Sequence, residues 1–385
     1  MQDQKTVVIL GGGVGGLVTA RRLRKRLGRG HRIVLVDKDG RHVFSPSFLW
    51  LMTGDRRPEK IVRDLVPLEK HGIDVVVGEV TEIRADERLV RAGDTTITAD
   101  YLVIALGADL DTDRFPGLAE AGHNLYTLDG AVEIRDSRAA LKAGRLAVLV
   151  SSMPFKCPAA PYEAALLLDH DLRRRGVRSE VSVDVYSPEP GPMGVAGPEM
   201  SGAVRQMMSD RGISYHPLHP LEAVDPATST LRFSEGRSAQ FDYLVFVPPH
   251  VAPRVVREAG MTNESGWIPV DRNSMETRFP GVYAIGDITT IPLSIGLPLP
   301  KAGTFASGQA EAVAETIAHN LAGKGHLGSF DGHGACFIET GGGKAGMGSG
   351  NFYAEPRPAV NLRKPGRVWH YGKVFFERRW LRRWV

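Results

Sequence analysis

The sequence predicts an α/β chain of two interleaved, doubly wound domains, followed by a C-terminal segment of different character. Three observations carry this expectation. Thr6–Leu10 is an apolar run that meets a glycine-rich turn, a helix and a second strand, which is one strand–helix–strand unit. Leu146–Val150, Pro161–Arg175 and Val181–Tyr186 repeat that order. Thr277–Asp287 reads as one more strand of the first unit, reached only after the second unit has been completed.

Composition permits such a fold. The 385 residues are 42% apolar and 24% charged, enough for a large core and unlike a disordered, collagenous or coiled-coil chain. No run approaches the ~18 apolar residues of a spanning helix. Two cysteines, Cys157 and Cys336, are too few for a disulfide scaffold or a four-cysteine zinc site, so no metal is expected. The chain enters a strand almost at once with no signal-peptide pattern, which predicts a cytoplasmic protein.

The first turn reads GGGVGG, with Gly11, Gly13 and Gly16 in G-x-G-x-x-G register. The first glycine permits a tight turn, the second lets backbone N–H groups approach a pyrophosphate, and the third lets the helix lie close to the strand. A helix from about Gly15 to Leu27 aims its N-terminus at the phosphates. The strand Arg32–Val36 then ends in Asp37, 21 positions after Gly16, where an acid binds a ribose hydroxyl. Together these parts predict a bound dinucleotide.

His42–Gly54 (HVFSPSFLWLMTG) is too irregular for a helix and too apolar for a free loop, so it is either a buried connection or a wall over a cofactor. Asp74–Val80 and Tyr101–Ala105 read as further strands of the first sheet. They bring Val80, Ala105 and Gly107 toward the nucleotide, and Thr277–Asp287 brings Gly286 and Asp287. The three ordered motifs resemble the FAD-binding pattern of flavoproteins with two dinucleotide domains, the disulfide reductases among them. That resemblance implies FAD, with Asp287 at its ribityl and phosphate end.

In the second unit the corresponding turn, Ser151–Glu163 (SSMPFKCPAAPYE), holds no glycine, so a nicotinamide dinucleotide is not expected there. Cys157 stands in its place, after Lys156 and before a helix N-terminus, both of which favour thiolate. Glu163, in the first turn of that helix, is placed to exchange protons with the sulfur, although its charge opposes thiolate formation. Taken alone, a cytosolic cysteine is usually a small buried hydrophobe. Cys336, 179 residues later, opens a strand-like run, Cys336–Glu339, and its meaning depends on meeting Cys157 in space.

PFKCPAAPYEAA, FDYLVFVPPH, LPKAGTFASGQ and CFIETGGGKAGM resemble the sulfide:quinone oxidoreductases over nearly the whole chain. The resemblance implies that Cys157 and Cys336 face each other beside the flavin and cycle through disulfide and persulfide. It assigns Cys336 to the flavin and Cys157 to the sulfur chain, with Glu163 as acid/base. It implies that Lys301, ahead of a helix from about Thr304 to Ala322, stabilises reduced FAD, the alternative being an ordinary surface lysine. Many members carry a third cysteine tied to covalent FAD. His123–Gly130 has none, and Tyr126 stands near its place, so non-covalent FAD is expected. Sulfide and a membrane quinone are the implied substrates, with Phe337 and Tyr371 as candidate quinone contacts. The competing classes are a type II NADH:quinone dehydrogenase, which needs the missing second glycine fingerprint, a flavocytochrome-type sulfide dehydrogenase, and a non-catalytic redox sensor.

The domains follow as 1–110 with 260–330 for FAD, 111–259 for the second Rossmann-like unit, and 331–385 for a flavin-covering and membrane-contact segment. Residues 357–385 hold nine Lys/Arg and one acid, Glu377, so the tail carries +8 while the whole chain carries +4. As a helix, Val374–Val385 aligns Phe376, Trp380 and Trp384, with Val374, Leu381 and Val385 beside them and Arg378, Arg379, Arg382 and Arg383 opposite. That pattern suits an interfacial helix on an anionic lipid bilayer surface, hence a peripheral protein on the cytoplasmic side of the cell membrane. Packing on the body or a partner subunit is the alternative, and a homo-oligomer stays open. Nothing resembles a nucleic-acid module.

Overall fold

A computed structural model describes residues 4–323 and 325–384. Two parallel five-stranded sheets organise it. The first has the spatial order Val282–Ala284, Tyr101–Ile104, Thr6–Leu10, Arg32–Asp37, Asp74–Val77. Val7–Leu10 are fully buried, as a continuous apolar run must be when both faces of a parallel sheet are covered. The second runs His123–Asn124, Tyr243–Val247, Gly144–Val150, Val181–Tyr186, Ile213–His216. A third sheet is antiparallel, in the order His333–Gly341, Lys344–Asn351, Ala359–Gly366. The C-terminal helix, Arg367–Arg383, follows directly.

The glycine turn is built by close approach. A Cβ on Gly16 would stand 1.9 Å from the Gly11 carbonyl oxygen, and one on Gly11, whose φ is +101°, 2.4 Å from the Ala105 oxygen. The helix Val14–Leu27 can therefore lie against the first strand, and the loop after Ile104 meets the first turn. The same helix packs along Gly303–Ala322, with Arg22–Glu311 and Arg26–Glu315 as cross-links.

Three expectations change. The strand expected over Asp74–Val80 ends at Val77, and Val80 instead opens Val80–Arg84 in a separate antiparallel sheet, the chain breaking at Gly78. His42–Gly54 does contain a helix, Phe48–Met52, all five residues of it buried; its apolar run sits in the core on every side, so no helical stripe shows. The C-terminal helix begins seven residues before the predicted Val374, and its aromatic stripe faces inward: Trp380 (4% exposed), Leu381 and Trp384 pack on the body. Val385 lies outside the described residues. The outward stripe is Val368, Tyr371 and Phe375, continuing as Arg378 and Arg382. No helix among the described residues is long and apolar enough to cross a membrane.

Candidate active site

The dinucleotide end is formed by two loops and a turn. Gly12 N–H donates to Asp37 Oδ2 (2.8 Å), which fixes the acid at the mouth of the glycine turn. A Cβ on Gly13 or on Gly107 would meet nothing within 4 Å, so open space lies beside both backbones. Asp287 is half-buried, its buried Oδ1 has no partner, and desolvation raises its pKa. Such an oxygen demands a polar partner that the chain itself does not supply. Open space beside glycine amides, an acid at the end of the second strand and an orphaned carboxylate oxygen fit FAD. Gly286, at φ +77°, donates its N–H to Gln309 Oε1 (2.7 Å), a residue that no motif singled out.

Lys301 is buried rather than on the surface. Its Nζ donates to the carbonyls of Asp287 (2.6 Å) and Thr289 (3.0 Å) and lies 3.4 Å from the centre of the Trp267 ring. Burial lowers its pKa to about 8. The ammonium thus holds the Gly286–Asp287 turn in place.

The glycine-free turn takes another form. Cys157 has φ +53°, a left-handed conformation rare for a residue with a side chain. Three hydrogen bonds secure it: Cys157 N–H to the Lys301 carbonyl (2.7 Å), and Ala160 N–H (2.9 Å) and Tyr126 Oη (3.3 Å) to the Cys157 carbonyl. The helix Ala160–Arg174 begins three residues on. Glu189, just beyond the second strand of this unit, is near where a carboxylate would meet the adenosine ribose of a nicotinamide dinucleotide. The Tyr162 hydroxyl and the Ser187 hydroxyl both bond to it instead, and burial raises its pKa.

Cys157 and Cys336 meet. Both are free thiols; Cys336 Sγ–H donates to the Phe337 carbonyl (3.4 Å), and the neighbouring Cys157 thiol, with burial second, raises the Cys336 pKa well above the usual thiol range. Glu163 is buried beside them, and its Oε1 accepts from Glu339 N–H (2.8 Å) and from Lys373 Nζ (2.9 Å). Burial alone would lower the Lys373 pKa, but the Glu163 and Glu339 carboxylates outweigh it and hold the amine above its ordinary value. Burial raises the pKa of Glu339, whose carboxyl group bonds His370 Nδ1 at 3.1 and 3.2 Å. Phe337 packs toward Gly372 on the C-terminal helix, whereas Tyr371 is 66% exposed on that helix's outer side.

Sequence reasoning missed Lys373, Glu339, His370 and His42. Lys373 sat in a tail read as a basic lipid-facing arc, and its partner Glu163 lies 210 positions away. His42 lies in the apolar segment, and its imidazole bridges two regions. Trp380 Nε1–H donates to His42 Nε2 (3.0 Å), so Nδ1 carries the proton and donates to the Gly12 carbonyl (3.0 Å). The only sequence signal was its place in an apolar, aromatic run.

A family model described as pyridine nucleotide-disulphide oxidoreductase matches residues 5–310. The mitochondrial sulfide:quinone oxidoreductase of Mus musculus is 25% identical over 365 residues, 91% of this chain and 79% of that protein. The sulfide-quinone reductase of Aquifex aeolicus is 28% identical over 396 residues, 98% of this chain and 90% of that protein. The X-ray structure of the sulfide:quinone oxidoreductase from Aquifex aeolicus matches with a TM-score of 0.88 at 27% identity, covering 98% of this chain and 90% of that one.

Proposed function

The chain belongs to the pyridine nucleotide-disulphide oxidoreductase family and is an FAD-dependent oxidoreductase, and from that premise we propose that it oxidises sulfide at the Cys157–Cys336 pair and passes the electrons to a quinone. The observation that carries this reading is that Cys336, on the strand His333–Gly341, lies beside Cys157 on a turn without glycine, in the unit where Glu189 is already bonded to Tyr162. In the oxidised state the two sulfurs form a disulfide. Hydrosulfide attacks one sulfur, a new S–S bond forms, and the other cysteine leaves as thiolate. Glu163 takes or returns the proton. Non-covalent FAD, when bound, supplies the two-electron acceptor chemistry between cysteines and quinone. The Gly11–Gly16 turn would receive its phosphates, Gly13 by close backbone approach and Gly11 and Gly16 by shaping the turn, Asp37 would hold its adenosine ribose and Asp287 its ribityl end; Lys301 fixes the Asp287 turn.

The protein is a peripheral one, held at the cytoplasmic face of the membrane by the outward stripe of the C-terminal helix. Val368, Tyr371 and Phe375 enter the headgroup layer, and Arg378, Arg379 and Arg382 meet anionic lipid. Phe337 stands on the side of its strand nearest that helix, as a quinone contact requires.

The test is anaerobic. Sulfide added to the holoenzyme bleaches the flavin absorbance near ~450 nm, and a soluble quinone restores it. Cys157→Ser and Cys336→Ser both abolish the bleaching with flavin content intact. NADH is the second arm: bleaching by NADH and not by sulfide would overturn the reading in favour of a dehydrogenase.

A further inference from the structure

The helix Val14–Leu27 buries Leu17, Val18 and Leu23 and leaves a basic row, Arg21, Arg22, Arg24 and Lys25, toward solvent. Those four side chains line a cleft of about 300 Å³. Its other walls are His71, the last residue of the short turn Val66–His71, and Arg383 and Trp384 at the end of the C-terminal helix. The chain itself holds the cleft in shape. Arg21 donates to the Arg383 carbonyl (3.0 Å), which joins the first helix to the last. Arg24 donates to the carbonyls of Gly28 and His31. The Trp384 ring is met by two guanidinium groups, Arg22 at 5.4 Å and Arg383 at 4.9 Å. The charge of the cleft is not balanced in the same way. Arg22 has a carboxylate partner, Glu311. Among the described residues Arg21, Arg24, Lys25 and Arg383 have no ion pair, and Arg24 Nε is buried without a partner. Asp74, whose charge reaches Arg24, is already bonded to Arg32 (2.8 Å). Burial lowers the pKa of both Arg21 and Arg24, so desolvation outweighs what acid there is. Like charges gathered in a partly dry cleft repel one another, and a multivalent anion is what such a site lacks.

We propose that this cleft between the first and last helices is a phosphate-binding site, and that the phosphate it takes is the headgroup of an anionic lipid. A phosphate ester offers three oxygens to several cations at once, where a carboxylate offers two. A water molecule takes about 30 Å³ of liquid, so a cleft of about 300 Å³ admits a phosphate with part of its ester and not only a bare ion. The surroundings favour a lipid over a nucleic acid. Glu311 and Glu315 pair with Arg22 and Arg26 along the same helix, so the positive surface does not continue as the track that a strand of phosphates needs. The cleft instead adjoins the end of the helix whose outward stripe, Val368, Tyr371 and Phe375, is proposed to enter the headgroup layer. A headgroup held there pins both helices to the bilayer, because Arg21 belongs to one and Arg383 to the other. The cleft does not depend on the sulfide reading; the lipid as source of the phosphate rests on the peripheral one.

The experiment uses the holoenzyme at fixed ionic strength and two double variants that lose the same charge. Arg21→Gln with Lys25→Gln removes two donors from the cleft, and Arg378→Gln with Arg379→Gln thins the exposed arc of the C-terminal helix. Flotation is measured on phosphatidylcholine vesicles made equally anionic by phosphatidic acid or by oleate. The wild type should bind the phosphatidic acid vesicles about tenfold more tightly, the worth of one or two basic residues at an anionic surface. Both double variants should bind every anionic vesicle more weakly, but only the cleft variant should lose the preference for phosphatidic acid. Calorimetric titration with glycerol phosphate is the second arm. It should bind the wild type and the arc variant alike and the cleft variant about tenfold more weakly. A preference lost equally in both variants would overturn the site, as would a wild type with neither the preference nor affinity for glycerol phosphate. Weaker titration of the cleft variant with its vesicle preference intact would assign the site to a soluble phosphate ester and overturn the lipid. A single-stranded oligonucleotide held more tightly than the vesicles, through Arg21 and Lys25, would overturn the lipid in favour of nucleic acid. If the wild type floats with no anionic vesicle, the peripheral reading falls, and the titration still decides the cleft. Should Arg21→Gln disturb folding, Lys25→Gln alone, at an exposed side chain, carries the same comparison.

Discussion

Cys157 occupies a backbone conformation that costs an ordinary side chain about 1–2 kcal/mol and costs glycine almost nothing. Two substitutions that both remove the thiol should therefore differ. Cys157→Gly should be more stable than Cys157→Ser by about 1 kcal/mol in denaturant unfolding. Equal stabilities would mean that the left-handed turn relaxes without the thiol. His250 supplies a second test. It is buried beside Tyr126, its Nδ1 is bonded to the Pro248 carbonyl (2.8 Å), its Nε2 has no partner, and burial lowers its pKa to about 3. The unfolded chain binds a proton near pH 6.5, the ordinary value for histidine, that the folded chain refuses until about pH 3. Stability should therefore fall as pH drops through that window, and His250→Gln should flatten the slope of unfolding free energy against pH. At this scale residue type and local turn singled out Cys157 and Glu163, whereas Cys336 alone read as a buried cysteine and was paired with Cys157 only through the family resemblance. His250, though inside a quoted motif, gave no sign of its buried, half-satisfied ring, which depends on contacts made from Tyr126.

Among the elements, the C-terminal helix shows what periodicity can and cannot tell. Its helical nature was legible, but the face it buries was not. A wheel places Lys373 and Glu377 by charge, whereas each has a partner far away in the chain. Lys373 meets Glu163, and Glu377 meets Arg56 (2.7 Å) and the Ser47 hydroxyl (2.5 Å). Those pairs turn Trp380 and Trp384 inward. Trp380→Ala should then cost about 3–5 kcal/mol in unfolding measurements, as for a large core deletion. Phe375→Ser should leave stability within about 0.5 kcal/mol while weakening flotation with anionic vesicles. The reverse pattern would restore the arrangement in which the tryptophans face lipid. The two parallel sheets were legible for the opposite reason. Runs such as Val7–Leu10 and Leu146–Val150 are buried on both faces, so their identity does not depend on which distant segment covers them.

For the whole molecule, the hydrogen-bond chain Trp380–His42–Gly12 ties the last helix to the first turn. Trp380 Nε1 and the Gly12 carbonyl share one neutral imidazole, which burial keeps from protonating, and Gly12 N–H is bonded in turn to Asp37. The residues proposed to receive FAD and the helix proposed to meet the membrane are thus parts of one hydrogen-bonded unit. No local pattern could announce this, because its ends are 368 positions apart, from Gly12 to Trp380. A ligand that orders the glycine turn must favour the docked helix, and a docked helix must favour the ligand by the same factor. Removing residues 367–385, or replacing His42 by Ala, should therefore weaken FAD retention about tenfold, within the usual range of coupling between sites. Flavin fluorescence during dialysis would measure it. The converse is required by linkage: in apoprotein, trypsin should cut the Arg378–Arg383 stretch faster than in holoprotein, and His42→Ala should abolish the difference. Unequal factors in the two directions, or a tail equally resistant with and without FAD, would show that the helix docks on a surface indifferent to the cofactor, with His42 only filling space between them.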